Sequence, residues 1–94
     1  MSGSVAERIR SKLAILQPTR LVVHDDSGRH AGHAGARPGG ESHFRLEIVS
    51  PAFAGESRVT RQRRVYALLA DELRSGVHAL QLTTLTPDED RDVG

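Results

Sequence analysis

A long glycine-rich stretch between two strand-like segments constrains this chain more than any other feature of its sequence. It runs from Asp25 to Phe44, reads DDSGRHAGHAGARPGGESHF, and holds three of the five histidines, His30, His33 and His43. Connections between paired strands usually take about two to five residues, and those beyond about 12 to 15 are uncommon unless they carry function or are disordered. We therefore expect a loop that joins two strands and carries imidazoles able to bind a ligand.

Length and charge set the scale of the protein. The chain has 94 residues, which is the size of one small domain. We expect a single domain over residues 1–94, with a core over about 5–87 and an acidic, flexible tail over 88–94. The formal net charge is +1 with neutral histidines, so overall charge does not indicate a nucleic-acid partner.

The absence of cysteine excludes several classes of site. Disulfides, CxxC redox chemistry and all-thiolate metal sites are all ruled out. No apolar run is long enough to span a membrane, and the N-terminal residues lack the apolar centre of a secretory signal. We expect a cytoplasmic protein with no membrane partner.

Hydrophobic periodicity predicts two helices and three strands. The helices are expected over Val5–Gln17 and Arg58–Arg74, the second with Val65, Tyr66, Leu68, Leu69 and Leu73 on its packed face. The strands are expected over 19–25, 43–50 and 77–85. The second strand alternates most regularly, with Phe44, Leu46 and Ile48 on one side.

The element order α-β-β-α-β predicts the fold class. Two helices and three strands form an α+β two-layer sandwich with a three-stranded mixed sheet. The second and third strands, joined through a helix, are parallel if they pair directly. Their first residues then lie at the same end of the sheet, which brings His78 beside the end of the glycine-rich loop.

This placement yields two interpretations of the histidines. If His78 shares the helix side of the sheet with Leu80 and Leu82, His43 points to the other side, and His30 and His33 are the loop imidazoles free to approach it. The functional interpretation is ligation of a metal or a cluster iron; the alternative is solvated loop histidines and a rim histidine at position 78. Two imidazoles cannot complete a four-ligand site, so a metal would require a partner protein.

The second helix is basic and also has two interpretations. Its arginines could contact phosphates of DNA or RNA, or form a solvated face paired with Glu56, Asp71 and Glu72. The residues concerned are Arg58, Arg61, Arg63, Arg64 and Arg74. No GXXG loop, which clamps a nucleic-acid backbone, precedes this helix.

An enzyme is the third class of protein considered. Asp25, Asp26, Ser27 and Glu41 could be combined with the histidines into a catalytic set. However, the sequence contains no nucleophile elbow, phosphate loop or HExxH motif, and a small domain has little room for a deep pocket. We expect no enzymatic activity.

Several ordered motifs closely resemble the BolA family. They read DDSGRHAGH, GGESHFRLEIVSPAFAG, SRVTRQRRVYALLADEL and GVHALQLTTLTP, and together they cover about Val5 to Asp88. The resemblance implies a fold like the type II KH domain. It also implies a monothiol glutaredoxin as partner, a role in iron–sulfur cluster trafficking or iron homeostasis, and, for bacterial members, DNA binding and transcription regulation through the second helix.

The resemblance further implies which residues hold a [2Fe-2S] cluster. The histidine of the GVHAL motif, His78, is one ligand, and a histidine or cysteine of the loop is the other. Because the loop has no cysteine, that ligand would be His30 or His33, with His43 a poorer candidate. The glutaredoxin cysteine and a glutathione thiol complete the site. The isolated protein, a monomer or weak homodimer, would hold no cluster.

One position departs from the family pattern. The family usually reads Arg-His-Arg where this chain reads Arg61-Gln62-Arg63. The helical wheel predicts that Gln62 lies on or beside the packed face, one turn before Tyr66. An amide still donates and accepts hydrogen bonds but does not titrate, so a proton-linked or metal role of that histidine would be lost here.

Overall fold

A computed structural model describes residues 4–25 and 43–93. The elements are helices α1 (Val5–Leu13), α2 (Arg58–Leu68), α3 (Ala70–Ser75) and α4 (Pro87–Val93), and strands β1 (Arg20–Asp25), β2 (His43–Val49) and β3 (Ala79–Leu85). This confirms the predicted α+β architecture with a three-stranded mixed sheet. Across the two described segments, no helix combines the length and the apolar character needed to cross a membrane.

Strand β2 is the central strand of the sheet, between β1 and β3. It runs antiparallel to β1 and parallel to β3, with His43 opposite Ala79 and Val49 opposite Leu85. The parallel pairing is the one expected from the crossover. It sets the starts of β2 and β3 at one end of the sheet and their finishes at the other.

The core lies between one face of the sheet and the helices. The predicted alternation of β2 is confirmed, because Phe44, Leu46 and Ile48 are buried. Leu80 and Leu82 of β3 are partly buried against the same cluster, also as predicted. Other members come from helices and turns and are Ile9, Leu13, Leu16, Phe53, Val65, Leu69 and Val77.

Helix α1 begins with a reciprocal cap. The Ser4 hydroxyl accepts from the Glu7 backbone N–H, and the Glu7 carboxylate accepts from the Ser4 N–H. Such a capping box satisfies two backbone donors that a helix start otherwise leaves unpaired. The α-helix ends at Leu13 rather than at Gln17, because Ala14–Leu16 tighten into a 3-10 turn and Gln17 takes a left-handed conformation (φ 49°).

The predicted second helix is divided in two. Ser57 caps α2 by accepting from the Thr60 N–H, and the helix runs to Leu68. Leu69 leaves helical geometry (φ −103°, ψ 18°) before α3 begins. In α3 Glu72 is buried against α1, where Arg8 Nε lies 3.3 Å and Lys12 Nζ 2.8 Å from its two oxygens.

The ion pairs between α1 and α3 have an electrostatic consequence. The hydrogen bond to Glu72 raises the pKa of Lys12 above its ordinary value of 10.5, and nearby Asp71 acts in the same direction. Any stability that this shift contributes is present below pH 10.5 and is lost only as the pH rises through the raised pKa. The contact between the two helices is therefore insensitive to pH changes around neutrality.

The start of β3 differs from the prediction. The strand begins at Ala79 and not at Val77, so strict alternation does not apply to the two residues before it. Val77 is buried in the core, although alternation would assign it to the opposite face. His78 lies just before the strand and is exposed.

The C-terminal residues also differ from the prediction. A flexible tail was expected over residues 88–94, but Pro87–Val93 form helix α4. The physical reason is a second capping arrangement: Thr86 Oγ1 accepts from the Glu89 N–H, and Glu89 Oε1 accepts from the Thr86 N–H. Proline at the first helical position and acidic residues in the first turn favour the same helix start.

Replacing Ser50 tests a buried polar contact between α1 and the end of β2. Its fully buried hydroxyl donates to the Leu16 carbonyl and accepts from the Ala52 N–H. We expect Ser50→Ala to lower the free energy of unfolding by about 1–3 kcal/mol, because buried backbone groups lose their partner. Urea denaturation measures the change. Ser75→Ala, the same change at an exposed position, should stay within about 0.5 kcal/mol, and equal losses in both variants would contradict this assignment.

Candidate functional site

His78 is held at the edge of the sheet where β2 and β3 begin. The preceding residues are tied to α3, since the N–H groups of Gly76 and Val77 both donate to the Glu72 carbonyl, at 3.2 and 3.0 Å. Val77 is anchored in the core on one side of His78, and Ala79 enters the sheet on the other. The imidazole is thus exposed on a backbone that is fixed on both sides.

The described histidine nearest to this position is His43, the first residue of β2. The centres of the two imidazole rings are 6.5 Å apart, with the ring planes tilted by 58°. His43 is half-buried and lies opposite Ala79, so it neighbours the residue that follows His78. A metal about 2 Å from one nitrogen of each ring would need the ring centres slightly closer, a change within reach of side-chain rotation.

This geometry bears on one of the candidate ligands, His43. Alternation predicts that His43 points away from His78 if His78 is part of the strand. In the structure β3 begins at Ala79, so His78 lies outside the strand, and the two rings are neighbours. His30 and His33 lie outside the described residues, so their approach to His78 stays a prediction.

The described histidine pair is not a complete metal site. Within residues 4–25 and 43–93, no group of three or more His, Cys, Asp or Glu side chains could hold a metal ion. The fifth histidine, His24, lies on β1, on the far side of the central strand, where its Nε2 is 3.4 Å from Glu47 Oε2. Two imidazoles at the rim suit a site that a second molecule completes.

The arginines of α2 do not form one surface. Arg58 and Arg63 are exposed, and Arg64 pairs with Glu56. Arg74, now on α3, pairs with Asp71. Some arginines are thus paired as a solvated face would be, while Arg58 and Arg63 are exposed, so that contact of α2 with phosphates stays a prediction.

Arg61 is the exception, because its side chain is only 6% exposed. Its Nε donates to the Glu56 carbonyl at 3.0 Å and its Nη1 to the Thr84 carbonyl at 3.0 Å. Nη1 and Nη2 also reach the two carboxylate oxygens of Glu89, at 2.7 and 3.2 Å. The guanidinium carbon lies 5.7 Å from the centre of the Phe53 ring, within cation–π range.

The carboxylate of Glu89 responds strongly to these contacts. The hydrogen bond from Arg61 and the backbone bond from Thr86 lower its pKa from 4.5 to about 2. Sequence analysis missed this contact entirely. The capping sequence Thr86-Pro87-Asp88-Glu89 is the signal that could have predicted α4. The contact between Arg61 and Glu89 depends on tertiary structure and has no local signal.

The position of Gln62 contradicts the sequence expectation. Gln62 is exposed, and Tyr66, one turn later, is 40% exposed, whereas Arg61 and Val65 face inward. The other predicted members of the packed face are confirmed, since they are buried or pack against the core: Val65, Leu68, Leu69 and Leu73. Only Gln62 and Tyr66 lie farther out than predicted, and Arg61 takes an inward position. The substitution of the family's usual histidine is a change on the surface of α2.

Comparison with known proteins assigns the family. A family profile described as BolA-like protein matches residues 13–89. The chain is 52% identical over 92 residues to "SufE-like protein 1, chloroplastic/mitochondrial" of Arabidopsis thaliana and covers 25% of that protein. It is 46% identical over 86 residues to "DNA-binding transcriptional regulator BolA" of Escherichia coli, covering 78% of it. The chain belongs to the BolA-like family.

Solved structures agree with this assignment. BolA1 from Arabidopsis thaliana superposes with a TM-score of 0.80 at 42% identity, covering 94% of this chain and 98% of that one. The relatives differ in extent, since the chain spans a quarter of the Arabidopsis SufE-like protein that it matches. What those longer proteins do as a whole does not transfer to this chain without a test.

The lowered pKa of Glu89 predicts an acid-dependent loss of stability. A group with a depressed folded-state pKa stabilises the protein fully above its ordinary pKa and loses that effect as the pH falls. Between pH 4.5 and about 2, the free energy of unfolding should therefore fall more steeply for the wild type than for Glu89→Gln. Urea denaturation across this range measures the difference. Asp88→Asn, a change at an exposed position of the same helix, should leave the dependence of unfolding free energy on pH as in the wild type. If Glu89→Gln also kept the wild-type dependence, the lowered pKa of Glu89 would be contradicted.

Proposed function

We propose that this protein is a non-enzymatic BolA-type adaptor that binds a monothiol glutaredoxin and shares a [2Fe-2S] cluster with it. In this role it would take part in iron–sulfur cluster trafficking or iron homeostasis. The observation that carries the proposal is the pair of neighbouring imidazoles, His43 and His78, at one exposed end of the sheet. Membership of the BolA-like family supports it.

The ligand set explains why a partner would be necessary. Each iron of a [2Fe-2S] cluster takes two protein ligands, and this chain has no thiol. His78 and one further imidazole would serve one iron, and the glutaredoxin cysteine with a glutathione thiol would serve the other. The cluster is thus a cargo held between two proteins, and the isolated chain is expected to be colourless.

Imidazole ligands would also set the chemistry of the shared cluster. Replacing two thiolates on one iron by two histidines raises the reduction potential. Ligation requires neutral imidazoles, so the affinity falls as the pH drops through the histidine range. The adaptor would therefore make the cluster easier to reduce and easier to release in mild acid than thiolate ligation does.

The identity of the second imidazole defines the decisive experiment. We expect visible circular dichroism of a [2Fe-2S]-loaded monothiol glutaredoxin to change when the wild-type protein is added. His78→Ala should abolish the new spectrum, and so should one of His43→Ala, His30→Ala or His33→Ala. The geometry favours His43, because its ring already neighbours His78.

The fifth histidine provides a matched control. His24→Ala removes an imidazole from β1, across the central strand from His78, and should leave the new spectrum intact. Far-ultraviolet circular dichroism checks that each variant is folded. A glutaredoxin spectrum that the wild-type protein leaves unchanged would overturn the cluster proposal.

A second candidate function is DNA binding through the start of α2. The observation that favours it is the exposure of two arginines on this helix, Arg58 and Arg63. The Escherichia coli relative is named a DNA-binding transcriptional regulator. Exposed arginines would contact backbone phosphates, which gives salt-dependent affinity without defining a sequence preference.

Charge reversal on α2 tests this second function. We expect Arg58→Glu and Arg63→Glu each to weaken binding to a fluorescent DNA duplex and to reduce the salt dependence by about one phosphate contact. Fluorescence anisotropy at several salt concentrations measures both quantities. Arg10→Glu, the same charge change at an exposed position of α1, should have a smaller effect. Equal effects of all three would mean that only net charge matters, and α2 would not be the binding surface.

A further inference from the structure

An acidic helix lies against the basic start of α2. Helix α4 has Asp88, Glu89 and Asp90 in its first turn, whereas the first turn of α2 has no acidic residue and begins with Arg58. The parallel sheet explains why the two meet: α2 follows the finish of β2, and α4 follows the finish of β3 at the same end.

Glu89 occupies a site that Arg61 shapes for an oxyanion. Two guanidinium nitrogens face the two carboxylate oxygens, the forked geometry in which arginine also binds phosphate. The backbone carbonyls of Glu56 and Thr84 hold the guanidinium from the other side. The arginine is buried at 6% exposure while the Glu89 side chain is 44% exposed, so the carboxylate is the outer, exchangeable member of the pair.

Arg58 extends the same site toward solvent. It is exposed one turn before Arg61, and its charge contributes to lowering the pKa of Glu89, which means that it acts on the same carboxylate. The two guanidinium groups thus present positive charge around a single anion position. A phosphate group in place of Glu89 would pair with Arg61 and would also be attracted by the charge of Arg58.

Polar contacts hold α4 in place. It is a seven-residue helix, too short to be stable alone, and it is secured by the cap between Thr86 and Glu89, by Arg61, and by a 2.5 Å contact between Arg20 and Asp90. None of the described side chains of α4 belongs to the buried hydrophobic core. An element with few buried apolar contacts can open locally at a lower free energy than the whole domain.

We propose that Glu89 is an internal substitute for a DNA backbone phosphate, so that α4 covers an anion-binding site formed by Arg61 and Arg58 and competes with duplex DNA for it. When α4 detaches, the two guanidinium groups contact a phosphate at the start of α2. This inference rests on the second candidate function, because the exposed arginines of the same helix supply the remaining phosphate contacts.

The competition has a measurable consequence for affinity. If α4 covers the arginines in about nine molecules out of ten, only about one molecule in ten can bind DNA there, and the apparent affinity for DNA is about tenfold lower than that of the open form. Weakening the cover should recover about three- to tenfold of affinity. It should also steepen the salt dependence by about one phosphate contact, because a further arginine becomes available.

The experiment uses full-length protein and one fluorescent DNA duplex, with anisotropy measured at several salt concentrations. Glu89→Gln removes the competing charge and should give both effects. Thr86→Ala loosens the cap of α4 without changing net charge, and it should give a smaller gain in the same direction. A gain in this neutral variant cannot come from net charge.

Asp88→Asn is the matched control. It removes one negative charge from an exposed position of the same helix, where the carboxylate pairs with Arg91 and not with α2. We expect it to leave the affinity and salt dependence close to wild type. Arg61→Gln combined with Glu89→Gln should abolish the gain seen in Glu89→Gln alone, because the covered guanidinium is then absent.

The outcomes separate this proposal from the functions on which it builds. If the wild type binds DNA and Glu89→Gln binds no better than Asp88→Asn, the covering role is wrong while DNA binding stands. If no variant binds DNA at low salt, both the second candidate function and the covering role fail. Neither result bears on cluster sharing, which is measured with glutaredoxin.

Discussion

The parallel pairing of β2 with β3 is the constraint on which the rest of the structure depends. With this register the two strands start together and finish together. Each strand is seven residues long, so its two ends are about 20 Å apart. The start gathers His43 and His78, and the finish gathers the beginning of α2, the end of β3 and α4. One pairing therefore creates two chemically different regions, one with imidazoles and one with arginines and carboxylates.

Burial of Arg61 is the second constraint, and it determines how α2 is rotated. A buried guanidinium without partners costs several kcal/mol, and its carbonyl, carboxylate and aromatic contacts each offset part of that cost. Pointing Arg61 inward turns Gln62 outward and leaves Tyr66 partly exposed. The same contacts couple α2, β3 and α4, which makes the C-terminal helix part of the fold.

The separation of the two regions matters for function. An adaptor that shares a cluster needs an exposed edge that a second protein can complete, and the histidine end of the sheet is exposed and thiol-free. A phosphate-binding surface needs arginines that are not already neutralised, and at the opposite end Glu89 of α4 pairs with Arg61. The residues assigned to the two proposed functions, cluster sharing and DNA contact, therefore do not overlap.

The sequence by itself determined the order of the elements up to β3 (apart from the division between α2 and α3), the alternating central strand, the parallel crossover and the family, because these depend on local periodicity and ordered motifs. Tertiary structure alone decided that Arg61 of α2 faces inward, that α4 contacts Arg61, and that His43 lies near His78. A helical wheel is read from its apolar residues, so it predicts Gln62 on or beside the packed face and does not predict a buried arginine. Strand alternation likewise fails at the residue before a strand begins, which is where His78 lies. Contacts between distant segments depend on where each element starts and how it is rotated, and local patterns leave both quantities open.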